Sequence, residues 1–382
     1  MRSRIPYLVL VCCMLALLHA YIAWRILPDL PIPFAYKVPG ALWLALSVVL
    51  VPFGLLARVI ARPPWSDRLA WIGLLAMGLF SSLLVLTFLR DMLFLLAGLA
   101  GYFSVALMSD SAVLVPLLAL AVSVIGFFNA RRVASVRKVE VPIANLPSGL
   151  QGFTIAQISD IHVGPTIKRA YLEAIVERVN GLQADLIAVT GDLVDGSVKH
   201  LSSHTAPLKN LAARHGVYFV TGNHEYYSNA HDWIDELRRL GLTVLLNEHV
   251  LLQHADATLL VAGVTDYTAH HYDPAHRSDP HAAMAGAPTQ VGFKLLLAHQ
   301  PRSAEAAADA GFDLQLSGHT HGGQFFPWNL FVPLQQPFTA GLKRLRRLWV
   351  YTSRGTGYWG PPKRFWAPSE ITHLRLVAAQ NS

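Results

Sequence analysis

The stretch Ser317-Gly318-His319-Thr320-His321-Gly322-Gly323-Gln324 sets two imidazoles one residue apart and crowds glycines around them. Alternate residues of an extended turn can face one centre, and glycines let backbone and ligand come close. The loop therefore offers two nitrogen donors to one point. Alone the pair is ambiguous, because any surface loop can carry two histidines. The residues upstream decide how it is read.

Residues 313–317, which lead into this loop, read as a short apolar strand. Four more such runs precede it, at 153–159, 185–190, 216–221 and 293–298. They end in Asp160-Ile161-His162-Val163-Gly164, Gly191-Asp192-Leu193-Val194-Asp195, Gly222-Asn223-His224-Glu225 and His299-Gln300-Pro301 respectively. After the first of them, residues 168–180 carry Leu172, Ile175, Val176 and Val179 at helical spacing, with Gly181 as a stop. Every polar cluster begins where a strand stops, which is the ligand edge of an α/β sheet.

Residue type then sets the chemistry. Asp160, His162, Asp192, Asn223, His299, His319 and His321 supply carboxylate oxygen, amide oxygen and imidazole nitrogen, with no sulfur. Such donors suit divalent Mn, Fe, Zn or Ni, whereas an all-oxygen Ca or Mg cage needs no histidine. Seven donors exceed what one catalytic ion with an open position requires, and fit two if a carboxylate bridges. Each residue also has a plainer reading. Asp160 or Asp192 could cap the helix after its strand, Asn223 could make a turn, and His299 could be a hydrogen-bonded interior histidine. Asp195 and Glu225 read as supports or helix-start residues. His200, His204, His215, His249, His254 and His276 read as solvated, and residues 265–289, with His270 and His271, as a long loop.

The ordered set Asp-x-His, Gly-Asp, Gly-Asn-His-Glu, a lone His and Gly-His-Thr-His resembles the calcineurin-like metallophosphoesterase superfamily. The resemblance covers residues 153–376. The text around Gly322-Gly323-Gln324, together with Ser353-Arg354-Gly355-Thr356-Gly357 and Pro368-Ser369-Glu370-Ile371, is similar to the membrane-associated bacterial branch. That branch includes YkuE- and YaeI-type phosphodiesterases and chlamydial-type UDP-2,3-diacylglucosamine hydrolases. The resemblance implies two packed mixed β-sheets flanked by helices, an αββα sandwich. It implies that Asp160, His162 and His321 bind one ion, that Asn223, His299 and His319 bind the other, and that Asp192 bridges. A hydroxide held between two ions ~3.5 to 4 Å apart would attack phosphorus in line. His224 would stabilise the transition state or protonate the leaving oxygen.

Composition adds a membrane. The chain has 382 residues, 53% hydrophobic and 14% charged, with a mean hydropathy of +0.38. That is too apolar for an ordinary soluble protein. The excess lies in residues 7–27, 41–61, 69–89 and 112–128, long enough or nearly so to cross ~30 Å of hydrocarbon as helices. Leu18-His19-Ala20 lacks a small-x-small cleavage pattern, so the first run reads as an uncleaved span. Residues 92–108, interrupted by Gly98 and Gly101, read as re-entrant or interfacial, the alternative being a fifth span that would put the richest basic cluster outside. Four spans put Arg2, Arg4, Arg58, Arg62, Arg68, Arg131, Arg132, Arg137 and Lys138 on one side, which the charge rule makes cytoplasmic. The expected location is a bacterial inner membrane, multi-pass, with the catalytic domain in the cytoplasm. Cys12 and Cys13, the only cysteines, lie inside the first span, so the later domain has neither disulfide nor thiolate site.

The expected domains are a transmembrane helical region at 1–130, a juxtamembrane linker at 131–152 and the α/β domain at 153–382. A net charge of +7 and a pI near 9.5 do not signal nucleic acid here, since no nucleic-acid module motif is present. Basic clusters beside spans meet anionic headgroups instead. The leading reading is a membrane-tethered metal-dependent phosphoesterase acting on a lipid-linked phosphodiester or pyrophosphate. Lys343, Arg344 and Arg354 are the candidates for headgroup or phosphate contact. The alternatives are an inert metal-binding sensor or scaffold, a broad-specificity phosphomonoesterase, and a transporter with a regulatory domain. The spans by themselves show no paired set of buried charges, which counts against the transporter. The sequence sets no oligomeric state.

Overall fold

A computed structural model of the chain describes residues 5–60 and 62–379. Arg2 and Arg4, and the chain ends of the expected second span and C-terminal domain at 61 and 382, lie outside the described residues. The chain divides into two compact units, one of residues 1–128 with 360–363 and one of 129–359 with 364–382.

In the first unit, helices Ile5–Ile26, Phe34–Leu55, Trp65–Leu99 and Val105–Arg131 are long and apolar enough to cross a membrane. The third differs from expectation. It runs unbroken through Arg90 and Asp91, so residues 92–99 finish it and residues 105–108 begin the next helix, leaving no separate re-entrant piece. The reason is that both charges are satisfied inside the unit. Arg90 donates to Asp29 Oδ2 at 2.5 Å, to Ser111 Oγ at 2.8 Å and to the Arg25 and Met108 carbonyls, while Asp91 accepts from Arg25 and from the Tyr21 hydroxyl. The buried Arg90 guanidinium paired with Asp29 corrects the expectation that the spans lack a paired set of buried charges, and Arg25 with Asp91 adds a partly exposed pair. They tie helix ends to one another. Gly54 and Gly73 let the second and third helices touch backbone to backbone, since a Cβ on either would meet the other at 2.5 to 2.6 Å.

The second unit holds two six-stranded sheets. The first contains β1 (Ser135–Ile143), β2 (Thr154–Ile158), β3 (Leu186–Val189), β4 (Val217–Phe219), β5 (Thr243–Val244) and β12 (Glu370–Ala378), in the order β1-β12-β2-β3-β4-β5. The second contains β6 (Glu248–His254), β7 (Ala257–Gly263), β8 (Phe293–Leu297), β9 (Leu314–Ser317), β10 (Gly341–Leu345) and β11 (Leu348–Thr352), in the order β10-β11-β9-β8-β7-β6. Both are mixed. β2 through β5 run parallel, and β12 pairs antiparallel to β2.

Strand alternation splits the core into layers. Ile155, Leu186 and Ala188 face Leu259, Val261, Leu295 and Leu316 between the sheets. Ala156, Ile158, Ile187 and Val189 face the other way, under Leu172, Ile175 and Val179 of helix Arg169–Asn180. The five expected strands and this helix form within one or two residues of the positions read from sequence.

Residues 131–152 are not a linker. β1 pairs in parallel along all nine residues with β12, and its Val141 and Ile143 are buried between the sheets. Its first half, Ser135-Val136-Arg137-Lys138-Val139, is mostly exposed and charged, which is why it did not read as a strand. A chain starting at Asn145 should therefore unfold below one starting at Asn129. Losing two buried aliphatic side chains at about 2 kcal/mol each lowers the midpoint by roughly 8–16 °C. Equal midpoints by circular dichroism would restore the linker reading.

Candidate metal centre

All the candidate donors leave the C-terminal ends of strands. Asp160 and His162 follow β2, Asp192 follows β3, Asn223 and His224 follow β4, His299 follows β8, and His319 and His321 follow β9. Strands from both sheets thus deliver side chains to one place. Five of the seven candidate ligands, Asp160, His162, Asp192, His319 and His321, have positive φ, between 51° and 70°. Left-handed backbone in non-glycine residues is uncommon and collects at functional sites. Here backbone bonds hold it: Asp160 N donates to Gly191 O at 3.0 Å, His162 N to Asp192 O at 3.1 Å, and Gly357 N to Asp160 O at 3.1 Å.

The side chains converge. His162 Nε2 lies 3.1 Å from His321 Nε2, which lies 3.5 Å from Asp160 Oδ1. On the other side His299 Nε2 lies 3.1 Å from Asp192 Oδ2 and 3.2 Å from His319 Nδ1. Asp192 Oδ2 also stands 4.0 Å from His162 Nε2 and 3.9 Å from His224 Nε2. The set Asp160, His162 and His321 can therefore hold a divalent ion, and so can Asp192, His299 and His319. Asp192 reaches toward both.

The outer partners fix ring orientation, as ligating histidines require. Asp195 Oδ1 accepts from His162 Nδ1 at 3.1 Å and from His224 Nδ1 at 2.6 Å. His299 Nδ1 donates to the Thr190 carbonyl at 2.8 Å. Glu225 is buried and accepts from the amides of Gly222, Asp192 and Leu193, pinning the turn that carries Asp192. Asp195 thus bonds two of the rings, and Glu225 bonds the turn beneath them. Arg364, fully buried, donates to the carbonyls of His321, Arg354, Gly357 and Ala367 and rests 3.1 Å from His321 Nδ1. Nothing in the sequence marked Arg364, because its role depends on carbonyls brought together only by the fold.

Electrostatics sorts the rings. Burial, then His299, pushes His319 down to about 3. Burial and the Arg364 guanidinium hold His321 well below its ordinary value. Both are neutral, with lone pairs available to an ion. Burial would lower His299 too, but Asp192, Asp160 and Asp266 outweigh it and raise it well above its ordinary value. Burial likewise opposes the rise of His224, yet Asp192 and Asp195 carry it up to about 9. The Asp160 carboxyl is raised, first by burial and then by the charge on Asp192.

One atom tests whether an ion fits. Asn223 Oδ1 is buried and has no hydrogen-bond partner among the described residues, so this amide oxygen is available to a cation. Together with donors that contain no sulfur, it fits a hard-to-borderline divalent ion.

The basic candidates separate. Arg354 and Lys343 line a cavity of about 470 Å³ that begins at Gly322, next to His321, and includes Asn329, Phe338 and Trp366. Arg354 also pairs with Glu370 at 3.1 Å. Arg344 is turned away by the alternation of β10, with its guanidinium 5.5 Å from the Trp349 ring centroid, and does not join the cavity. His276 corrects the reading that it is solvated: its Nδ1 bonds the Tyr226 hydroxyl at 2.8 Å. His215 and His254 likewise bond each other, at 2.9 Å.

Two mixed sheets packed face to face, with helices outside and His, Asp and Asn donors at the strand ends, define a metallophosphoesterase fold. Residues 153–323 match the family model described as calcineurin-like phosphoesterase. A Danio rerio protein named "transmembrane protein with metallophosphoesterase domain" is 38% identical over 275 residues, covering 70% of this chain and 63% of that one. The "uncharacterized metallophosphoesterase" of Aquifex aeolicus is 32% identical over 64% of this chain and 93% of its own length. YkuE of Bacillus subtilis, named in the same way, is 30% identical over 60% of this chain and 81% of its own length. The chain belongs to the calcineurin-like metallophosphoesterase family. It spans 60 to 63% of the transmembrane relatives of Danio rerio and Bos taurus.

Gly222 gives a test of the donor geometry. A Cβ there would fall on the Asp192 carboxylate and its amide. Gly222→Ala should leave the fold intact, by circular dichroism, and lower the number of divalent ions bound per chain on equilibrium dialysis. Unchanged ion binding would show that Asp192 is not a ligand.

Proposed function

We propose that this protein is a membrane-tethered phosphoesterase that uses two divalent ions, drawn from Mn, Zn, Fe or Ni, to cleave a phosphodiester or pyrophosphate bond in a lipid-linked substrate. The observation that carries the two-ion reading is the pair of donor sets flanking Asp192, together with the unpartnered Asn223 Oδ1. The relatives' printed names support the reaction class, and the charge rule supports a cytoplasmic domain at a bacterial inner membrane. When bound, such ions supply Lewis-acid polarisation of a phosphoryl group and water activation near neutral pH.

The chain's own residues do the rest. His224 gives its Nδ1 to Asp195, so Nε2 is the nitrogen left to pass a proton to the leaving oxygen. Asp195 positions this ring and His162 together, so one carboxylate sets both a proton donor and a ligand. Arg354 and Lys343, in the cavity beside Gly322, offer charge to a phosphate or headgroup beyond the scissile bond.

A lipid-linked substrate is supported by the rim of that cavity. Trp366, which lines the cavity, is 76% exposed, and the segment 328–334 that brings Asn329 to the lining also exposes Trp328, Leu330, Phe331 and Leu334. Large apolar side chains left in water beside lysine and arginine suit an interface of acyl chain and headgroup.

The test uses full-length protein in detergent, stripped of metal and reloaded with Mn²⁺, Zn²⁺ or Ni²⁺, then assayed on an aryl phosphodiester, an aryl phosphomonoester and a lipid pyrophosphate. Cleavage of the diester and pyrophosphate should depend on metal and vanish in Asp192→Asn. His224→Ala should keep its ions and lose about 10²- to 10⁴-fold in turnover; loss of both ions would contradict its role. Trp366→Ala combined with Leu334→Ser should raise KM for the lipid pyrophosphate and leave the aryl diester unchanged. A loaded protein inert on all three substrates is a sensor or scaffold, and one that prefers the monoester is a phosphomonoesterase.

A further inference from the structure

Away from the centre, a second kind of donor cluster lies on the face of the α/β unit. His231 sits in the first turn of helix Ala230–Arg239, while Asp273 and His276 flank the short turn Pro274–His276. Asp273 Oδ2 lies 3.0 Å from His231 Nε2 and 4.0 Å from His276 Nε2, and the two rings have centroids 5.0 Å apart. One donor atom from each residue falls within 4.8 Å of the others. Ligands on a tetrahedral zinc ion are separated by roughly 3.3 Å, a value that the two measured distances bracket.

The partners of these side chains turn the inward atoms toward one another, where His231 Nε2 and Asp273 Oδ2 share a hydrogen bond that an ion would replace. The Tyr226 hydroxyl occupies His276 Nδ1 at 2.8 Å, so Nε2 is the nitrogen turned to Asp273. The Ala275 amide occupies Asp273 Oδ1 at 2.9 Å, so Oδ2 is the oxygen between the two rings. Outer bonds that fix ring and carboxylate orientation are what a metal site needs beyond its ligands. Two imidazoles and one carboxylate, with water completing the shell, match zinc, nickel or cobalt. The exposed His231 ring gives an ion a way in, its side chain being 64% accessible.

We propose that His231, Asp273 and His276 form a third divalent-metal site, of the zinc and nickel class, which fastens the segment 265–276 to helix Ala230–Arg239. The placement gives the site a consequence. Tyr272, on that segment, packs against Tyr226 and Tyr227 with centroids 6.0 and 5.7 Å away, and Tyr227 packs on His224 at 4.9 Å. Thr265 Oγ1 also donates to the His276 carbonyl at 2.8 Å, closing the segment on itself. An ion at its end braces the aromatic wall beside the proposed proton donor. The site does not depend on the phosphoesterase reading.

Its test counts ions on the full-length protein in detergent, stripped by chelator and titrated with Co²⁺, with stoichiometry read by native mass spectrometry and by visible absorption. Wild type should bind one equivalent more than His231→Ala, a change on an exposed helix position that should leave the fold alone. In Asp192→Asn, which leaves the Asp160, His162 and His321 set in place, adding His231→Ala should still remove one equivalent of Co²⁺ and its share of the visible band. Hydrogen exchange across 265–276 should slow on adding Zn²⁺ to wild type and stay unchanged in His231→Ala. Equal stoichiometry in wild type and His231→Ala, with exchange insensitive to Zn²⁺, would show an ordinary His-Asp-His hydrogen-bonded cluster and overturn the proposal.

Discussion

Asp160 and Asp192 are both buried beside the same imidazoles. Burial, then repulsion from the Asp192 charge, raises the Asp160 carboxyl, while against burial His299 and His224 hold Asp192 well below its ordinary value. That repulsion is the constraint the α/β unit answers. Burying one carboxylate requires a partner, and burying two face to face requires fixed positive charge or cations between them. The fold supplies part of the answer itself. The His319 amide donates to Asp160 at 2.9 Å, the His224 amide donates to Asp192 at 2.9 Å, and His299 stands against Asp192. The remainder is left to whatever binds between the two donor sets.

How the side chains reach this position explains why two sheets are needed. A single parallel sheet offers a row of strand ends spaced along one edge. Two sheets packed face to face bring the ends of β2, β3 and β4 opposite those of β8 and β9, so donors approach from both sides. The Gly318 amide bonded to His299 O at 2.9 Å and the Ser353 amide bonded to Ser317 O at 2.8 Å keep the second sheet's loops in line with its strands. Gly318 has no side chain because a Cβ would strike Ser159 and Asp160. Glycines around the two-histidine loop are thus spacers between the sheets, as well as places for a ligand to approach.

Much of this was legible because the signals were local. Short apolar runs that end in Asp, Asn or His state both the strand and the edge where the site forms, and the order of the donors identified the family. What stayed hidden depended on partners distant in sequence. β1 has a polar first half and is a strand only because β12 returns from more than 200 residues away to pair with it. Arg90 and Asp91 looked like a break between spans because their counterions, Asp29 and Arg25, are on another part of the bundle. Arg344 and Lys343 are neighbours in sequence, but strand alternation sends one to the cavity and the other to Trp349. His231 and His276 carry no shared motif, since helix and loop meet only in the fold.

The ligand backbones bear on whether the site is idle. Five non-glycine residues held in the left-handed region cost about 1 kcal/mol each, so the unit carries about 5 kcal/mol of strain at one place. That is comparable with the whole net stability of many domains, roughly 5 to 15 kcal/mol. An ion that binds the folded state alone returns stability in proportion to the logarithm of its concentration over its dissociation constant. Strain gathered on Asp160, His162, Asp192, His319 and His321 is held in part by the backbone bonds of Asp160, His162 and Gly357, and ions bound at the donor sets would offset more of it. Without ions, those backbone bonds would bear the strain alone. The same turns that strain the backbone are the ones that aim these side chains at one another, so the geometry of the donor sets and the cost of holding it have a single origin.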